Sequence, residues 1–323
     1  MSEIRFVFVD VFAPSPLTGN PVSLVPDADD LDLPTLQAIA REFNQSETTF
    51  LLRPTAAGAD RRLRSFTPVG AEVFGAGHNA LGAWLWLAAT GRLPADRSRF
   101  VQQIGDDLLP VEVHRAPGLA DVVSMDQSPP EFGNTIADPA DLAATLGLSA
   151  VEIVAERPAQ VVSTGAGHLL VPLRNRAAVD AAAPDSPRLA TLLRQVGGEG
   201  CYIYSLDPVD PSDAVAYARF FNPTMGIHED PATGTAAGPL AARLLADGIV
   251  PDGTTTVIEQ GYALGRPSRI RVTVSGDLVR ISGSGLVVAA GVLRLPGAGD
   301  GTQQEYVCVP TGLASHDADA SAP

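Results

Sequence analysis

Apolar and polar positions alternate from the start of the chain. Ile4-Arg-Phe-Val-Phe-Val-Asp-Val-Phe12 carries β-branched and aromatic residues at a period of two, which predicts a strand. A turn rich in proline and glycine, Ala13 to Pro21, leads to a second short strand at Val22 to Val25. The period then changes, and Asp32 to Phe43 spaces its apolar residues as a helix does. Strands are predicted over Ser46 to Leu52 and Arg61 to Thr67. From Gly75-Ala-Gly-His-Asn-Ala-Leu-Gly82 the pattern is helical again, passing Trp84 and Trp86 to about Thr90, where Gly91 ends it. Short strands continue from Phe100 to His114, and Arg115 to Asp121 reads as a turn or boundary.

The same order returns in the second half. Strands are predicted at Val122 to Met125, Gln160 to Ser163 and Leu169 to Pro172, with one or two helices within Ala177 to Val196. Strands at Cys201 to Ser205 and Ala214 to Phe221 precede a loop and a helix from about Thr235 to Asp247. The last strands fall at Thr254 to Glu259, Ser268 to Val274, Leu278 to Gly283 and Leu286 to Leu295. Phe66-Thr-Pro68, a loop, Gly77-His78 and a helix are echoed by Phe221-Asn-Pro223, a loop, Gly234-Thr235 and a helix. The expected fold is therefore α+β, with two similar domains, each with one main helix entered through a glycine-rich loop. The expected division is 1–118 and 119–296, with a late strand free to return to the first domain. Residues 297–323 are expected to be an extension ending in a solvated tail, Ser315 to Pro323.

Composition narrows the partners. With 323 residues, 45% hydrophobic and 18% charged, the chain can bury a sizeable core. A net charge of −15 repels phosphate backbones and anionic membranes, so neither nucleic acid nor membrane is an expected partner. A small anion needs only a local positive site and stays possible. The chain contains no lysine, which excludes a pyridoxal phosphate Schiff base and a P-loop ATPase. Cys201 and Cys308 fit no metal-ligand spacing, and neither metal nor organic cofactor is expected. Met1-Ser-Glu-Ile-Arg-Phe shows no basic segment followed by a long apolar run, and a reduced, cytoplasmic protein is expected.

The two glycine-rich entries are the candidate site. A helix N-terminus offers unpaired N–H groups and partial positive charge, and glycine lets a ligand approach the backbone. If both loops face one cleft, two helix starts converge on one small anion. Short glycine motifs also serve ordinary turns, and it is the paired occurrence that singles these out. Glu47 lies beside apolar Phe50-Leu-Leu52, where desolvation would raise its pKa into general acid/base range; its plainer role is a solvated turn residue. His78 starts a helix and on spacing alone reads as capping or packing. Asp230 reads equally as an Asp-Pro turn residue. His168 could line the cleft or serve the core, His228 is only adjacent to the loop, and His114 and His316 have no supporting context.

At these same residues the chain resembles the PhzF-type isomerases of phenazine biosynthesis, within the diaminopimelate epimerase-like fold. The resemblance runs from about Val9 to Leu295 and rests on several segments in order. These are Val9-Asp-Val-Phe12 with Gly19-Asn-Pro21, Ala38 to Asn44 with Ser46-Glu-Thr-Thr-Phe50, and Phe66-Thr-Pro68 with Glu72-Val73 and Gly77-His78. The last are Ser163-Thr-Gly165 and Glu229-Asp-Pro-Ala-Thr-Gly234. It implies curved mixed sheets around central helices, with the active site in the interdomain cleft. It implies Glu47 as the proton-shuttling acid/base, with His78 and Asp230 as further catalytic groups. Asn20, Ser46, Gly77, Asn79, Gly165, Gly234 and Thr235 would bind substrate. Thr235 stands where the family often has serine. Asn79-Ala80 departs from the small residue or proline and then threonine that often follow the Gly-His pair, which leaves the substrate open.

The expected activity is a cofactor-independent 1,3 or 1,5 proton shift on a small unsaturated or cyclic carboxylic or amino acid, in secondary metabolism. The resemblance also implies a homodimer. A lyase or hydrolase using Glu47 to activate water, or a silent metabolite-binding protein, are the alternatives. A two-thiol racemase is not expected, because no cysteine stands near either helix start.

Overall fold

The computed structural model describes residues 2–295 except 116, 117, 119 and 137. The expected extension at 297–323, with Cys308 and His316, lies outside the described residues. The first half comprises β1 (Ser2–Val11), β2 (Asn20–Val25), α1 (Leu33–Phe43), β3 (Thr48–Leu52) and β4 (Arg61–Phe66). It continues through β5 (Glu72–Val73), α2 (His78–Ala89), β6 (Arg99–Ile104), β7 (Asp107–His114) and β8 (Val122–Gln127). The second half opens with β9 (Glu131–Thr135), α3 (Pro139–Thr145), β10 (Gln160–Ser163), β11 (Gly167–Pro172), α4 (Arg176–Ala181) and α5 (Ser186–Val196). Then come β12 (Gly200–Ser205), β13 (Ala216–Asn222), β14 (Ile227–Asp230) and α6 (Gly234–Ala246). β15 (Thr255–Gln260), β16 (Ser268–Ser275), β17 (Leu278–Gly283) and β18 (Gly285–Leu295) complete it.

The echo seen in the sequence is a repeat of the whole ladder. β2–β3 and β4–β6 are parallel, while β1–β2, β3–β4, β4–β5 and β6–β7 are antiparallel. Replacing β1 to β7 by β10 to β16, in order, reproduces each pairing and its sense. The central helices occupy matching places, α2 between β5 and β6 and α6 between β14 and β15. β8 and β17 pair antiparallel and join the halves, with Met125 opposite Ile281. The strands that follow cross over: β9 pairs with β10 in the second half, and β18 returns to β1 in the first.

Both central helices are buried because little on them is polar. Every residue of α2 from His78 to Leu87 is buried, and the helix touches β1, β2, β3, β7, β8 and β18. Trp84 is fully buried, and its Nε1 donates to Gln102 Oε1 at 2.9 Å. Removing an indole of that size from water contributes roughly 4–6 kcal/mol before entropic costs. Gly82 lets α2 lie close on β2, since a Cβ there would stand 2.4 Å from Val22 Cγ1. α6 packs likewise on β10, β11, β16 and β17.

Four elements depart from the sequence expectation. β5 and β14 fall in segments read as loops, and β9 and α3 in a stretch to which the sequence pattern assigns no element. β9 is exposed along its whole length, so no apolar alternation marks it, and pairing with β10 defines it. α3 is only seven residues, started by Pro139 under the side chain of Asp138. Ser46 and Glu47, expected inside a strand, precede β3 in the turn after α1. Asp230, expected in a loop, closes β14.

Candidate active site

α2 and α6 begin beside one another, and a Cβ built on Gly77 would stand 3.7 Å from Thr235 Cγ2. α1, α3, α4 and α5 each start under a side-chain oxygen, from Asp32, Asp138, Asn175 and Asp185. Gly77 and Thr233, which precede α2 and α6, provide no such cap. The Thr233 hydroxyl instead donates to Asp230 Oδ2 at 2.5 Å. First-turn N–H groups of two helices, and the positive ends of two dipoles, are thus left side by side without a side-chain cap.

Glu47 reaches the start of α2 from the turn before β3. Its strand is pinned on both sides, by Ser23 Oγ and Thr48 Oγ1 at 2.6 Å and by Thr49 Oγ1 and Ser65 Oγ at 2.9 Å. The Glu47 side chain is 15% exposed, and burial, aided by the negative charge of Asp230, raises its pKa to about 8. Burial alone lowers His78 to about 3. Glu47 Oε2 lies 3.4 Å from His78 Nδ1. At neutral pH the contact therefore joins a protonated carboxylic acid to a neutral imidazole, and it is not an ion pair.

From His78 the polar contacts run across the molecule. Ser46 Oγ stands 3.3 Å from His78 Nε2 and 3.5 Å from Asn20 Oδ1. Asn20 Nδ2 donates to Asp230 Oδ1 at 2.9 Å and to the Ala232 carbonyl at 2.8 Å. Burial raises Asp230 to about 6, against the hydrogen bonds from Thr233 and Asn20. Gln260 Nε2 donates to the Asp230 carbonyl at 2.7 Å, and its Oε1 accepts from Thr233 N and the Tyr202 hydroxyl. Arg266 holds the first half in place, donating to Asp10 and to the carbonyls of Thr18 and Gly19, just before Asn20.

Glu47, His78, Ser46, Asn20 and Asp230 thus stand in one network, and Gly77, Gly234 and Thr235 form the two helix starts. Asn79 serves the loop itself: it accepts from Gly77 N and donates to Ser65 and the Gly75 carbonyl. Gly165, at φ +122, lies in the β10–β11 turn. Its neighbour Thr164 bonds Gln127, which donates to the Gly234 carbonyl, so Gly165 meets the site only at a remove. His228 is exposed on β14, and His114 bonds Ser124 between β7 and β8. Among the described residues no cluster of His, Cys, Asp and Glu could hold a metal, and no helix is long and apolar enough to cross a membrane.

Residues 9–291 match the family described as phenazine biosynthesis-like protein, PhzC-PhzF. The chain belongs to this family. Trans-2,3-dihydro-3-hydroxyanthranilate isomerase of Pseudomonas aeruginosa is 36% identical over 296 residues, spanning 89% of this chain and 98% of that protein. A PhzF family protein of Bacillus anthracis superposes with a TM-score of 0.84 at 26% identity, covering 91% of this chain and 100% of that one. A hydroxyproline epimerase of Agrobacterium vitis shares the fold, with a TM-score of 0.63 at 14% identity over 91% of each chain. The isomerase class and the epimerase-like α+β fold expected from the sequence are both borne out.

In this PhzF family member no thiol stands at either helix start among the described residues. Cys201 is fully buried on β12, and burial pushes its thiol up to about 12. Iodoacetamide treatment of the native protein is expected to leave Cys201 unmodified and activity unchanged. Peptide mass mapping checks this, and a Cys201 adduct that tracks with lost activity would contradict it. Gln260 and Tyr202 escaped the sequence reading, because their partners lie on other elements and no local motif marks a buried glutamine.

Proposed function

We propose that the chain catalyses a 1,3 or 1,5 proton shift on a small unsaturated or cyclic carboxylic or amino acid, with Glu47 as the acid/base. The observation that carries this is a buried carboxyl of pKa about 8 beside two uncapped helix starts. The substrate carboxylate lies between those starts, held by N–H groups at His78 and Gly234-Thr235, since the Gly77 N–H is already donated to Asn79. Glu47, as carboxylate, takes a proton from an activated C–H, and the electron pair spreads into the conjugated system. The acid so formed returns the proton to another carbon on the same face, so one C–H bond breaks, another forms, and nothing is oxidised. The helix N–H groups offset the negative charge that develops. Neutral His78 and Asp230 orient the substrate or relay the proton.

The domain division at 1–118 and 119–296, supported by the internal repeat, belongs to the same proposal, with a cytoplasmic location and, from the family resemblance, a homodimer. The similarity to the Pseudomonas aeruginosa isomerase makes trans-2,3-dihydro-3-hydroxyanthranilate the first substrate to try. Incubation in deuterated water, with other small unsaturated acids and cyclic amino acids alongside, is expected to give a shifted double bond and carbon-bound deuterium, seen by NMR and mass spectrometry. Binding without exchange would favour a water-activating or silent site.

A further inference from the structure

His168, on β11, is 3% exposed and packs its ring T-shaped against Phe220 at a centroid distance of 5.0 Å. Nε2 stands 3.4 Å from Thr235 Oγ1, at the start of α6. Nδ1 is buried and has no hydrogen-bond partner among the described residues. The β12 backbone closes that side, since a Cβ on Gly200 would lie 3.3 Å from Nδ1. Burial keeps the ring neutral, with a pKa lowered to about 4.

A neutral imidazole carries one N–H and one lone pair, and the surroundings choose between the two tautomers. A proton on Nδ1 would bury a donor without a hydrogen-bond acceptor, which native structures tolerate less than an unpaired acceptor. A proton on Nε2 meets the Thr235 oxygen and leaves only a lone pair in the apolar wall. Thr235 then accepts from His168, and its own hydroxyl proton is directed elsewhere. The Thr235 side chain has no other hydrogen-bond partner among the described residues, and the residue is only half-buried.

We propose that His168 is a positioning residue that donates Nε2–H to Thr235 and thereby turns the Thr235 hydroxyl proton toward the substrate carboxylate at the helix starts. The carboxylate end of this proposal rests on the placement argued above, whereas the tautomer does not. The arrangement makes Thr235 a fixed donor, which suits a group with two acceptor oxygens and disfavours one that presents an N–H₂. The second half of the molecule would thus set the preference for an acid, while Glu47 in the first moves the proton.

Long-range ¹⁵N–¹H correlation spectra of the full-length wild-type protein at neutral pH read the tautomer directly, with His168 identified by the signals lost in His168→Gln. The expected result is a proton on Nε2, a bare Nδ1, and a displaced Nε2–H resonance in Thr235→Val. A proton on Nδ1 overturns the proposal. Calorimetric titration with anthranilate and its neutral amide, 2-aminobenzamide, reads the consequence. The preference for the acid should fall about tenfold in His168→Phe and about as far in Thr235→Val, with no further loss when the two are combined. His168→Gln, which can offer an amide N–H in the same direction, should keep most of it. Losses that add in the double variant, or an unchanged preference in His168→Phe, overturn the positioning role. Failure of Glu47-dependent exchange would sink the isomerase reading and leave the tautomer result standing.

Discussion

Replacing Glu47 by glutamine is expected to lower the rate of proton exchange by about 10²–10⁴-fold, the usual contribution of a placed acid/base. The amide keeps the shape of the protonated carboxyl but can neither take nor return a proton. Since the carboxylate form starts the reaction, wild-type kcat/KM should rise with pH and level off above about 8. A profile that falls through that range would mean the reaction begins with proton donation. Full activity in the variant would show that another group is the base.

The same substitution should raise stability. Between about 4.5 and 8 the native protein holds a proton on Glu47 that the unfolded chain has released. Native stability therefore falls as pH rises through this window and the Glu47 contribution is flat above it. Glutamine does not titrate, so urea midpoints of the variant and the wild type should be closest near pH 4.5 and furthest apart above pH 8. Equal midpoints at both ends would contradict the buried-acid reading, whatever the kinetics show.

Replacing Arg219 by methionine should cost about 3–5 kcal/mol of stability. Arg219 and Glu229 face each other as a forked pair, Nε to Oε1 at 2.9 Å and Nη2 to Oε2 at 2.8 Å, with side chains 10% and 5% exposed. Arg219 Nη1 also donates to the carbonyls of Val179, Asp180 and Ala182 at the end of α4. Methionine would fill the space and leave a buried carboxylate and three carbonyls without their donor. Lysine restores the charge but not the planar fork, and should recover only part. Adding Glu229→Gln to Arg219→Met should recover more, because the uncompensated charge is then gone. Urea unfolding decides it, and a loss under about 1 kcal/mol in the single variant would show that the pair is solvated. The site would register the change as well, since the negative charge of Glu229 already raises the pKa of neighbouring Asp230.

The elements that carry the site were legible because their signals are local. α2 and α6 combine a glycine-rich entry with a run of apolar residues, and the likeness of their surroundings was visible as a repeat. The neighbours of Glu47 along the chain, Phe50-Leu-Leu52, were enough to suggest desolvation. His78 shows the limit of spacing, which suggested capping or packing, whereas its ring meets the Glu47 carboxyl. Gln260 was invisible because its partners are 30 residues away at Asp230 and 58 away at Tyr202. β14 lacked any alternation, and only its pairing with β13 makes it a strand. The return of β18 to β1 joins the two ends of the described chain, a separation that no window of neighbouring residues can sense.

That return also sets the order of events at the ribosome. β1 emerges before the strand that covers one of its edges, with most of the described chain between them. At about 5–20 residues per second, tens of seconds separate the two. Through that interval a run of valine and phenylalanine presents unpaired N–H and C=O groups to solvent, a template for pairing with another nascent chain. The first half can therefore close only after synthesis has passed Leu295, and a translating cell must shelter that edge until then.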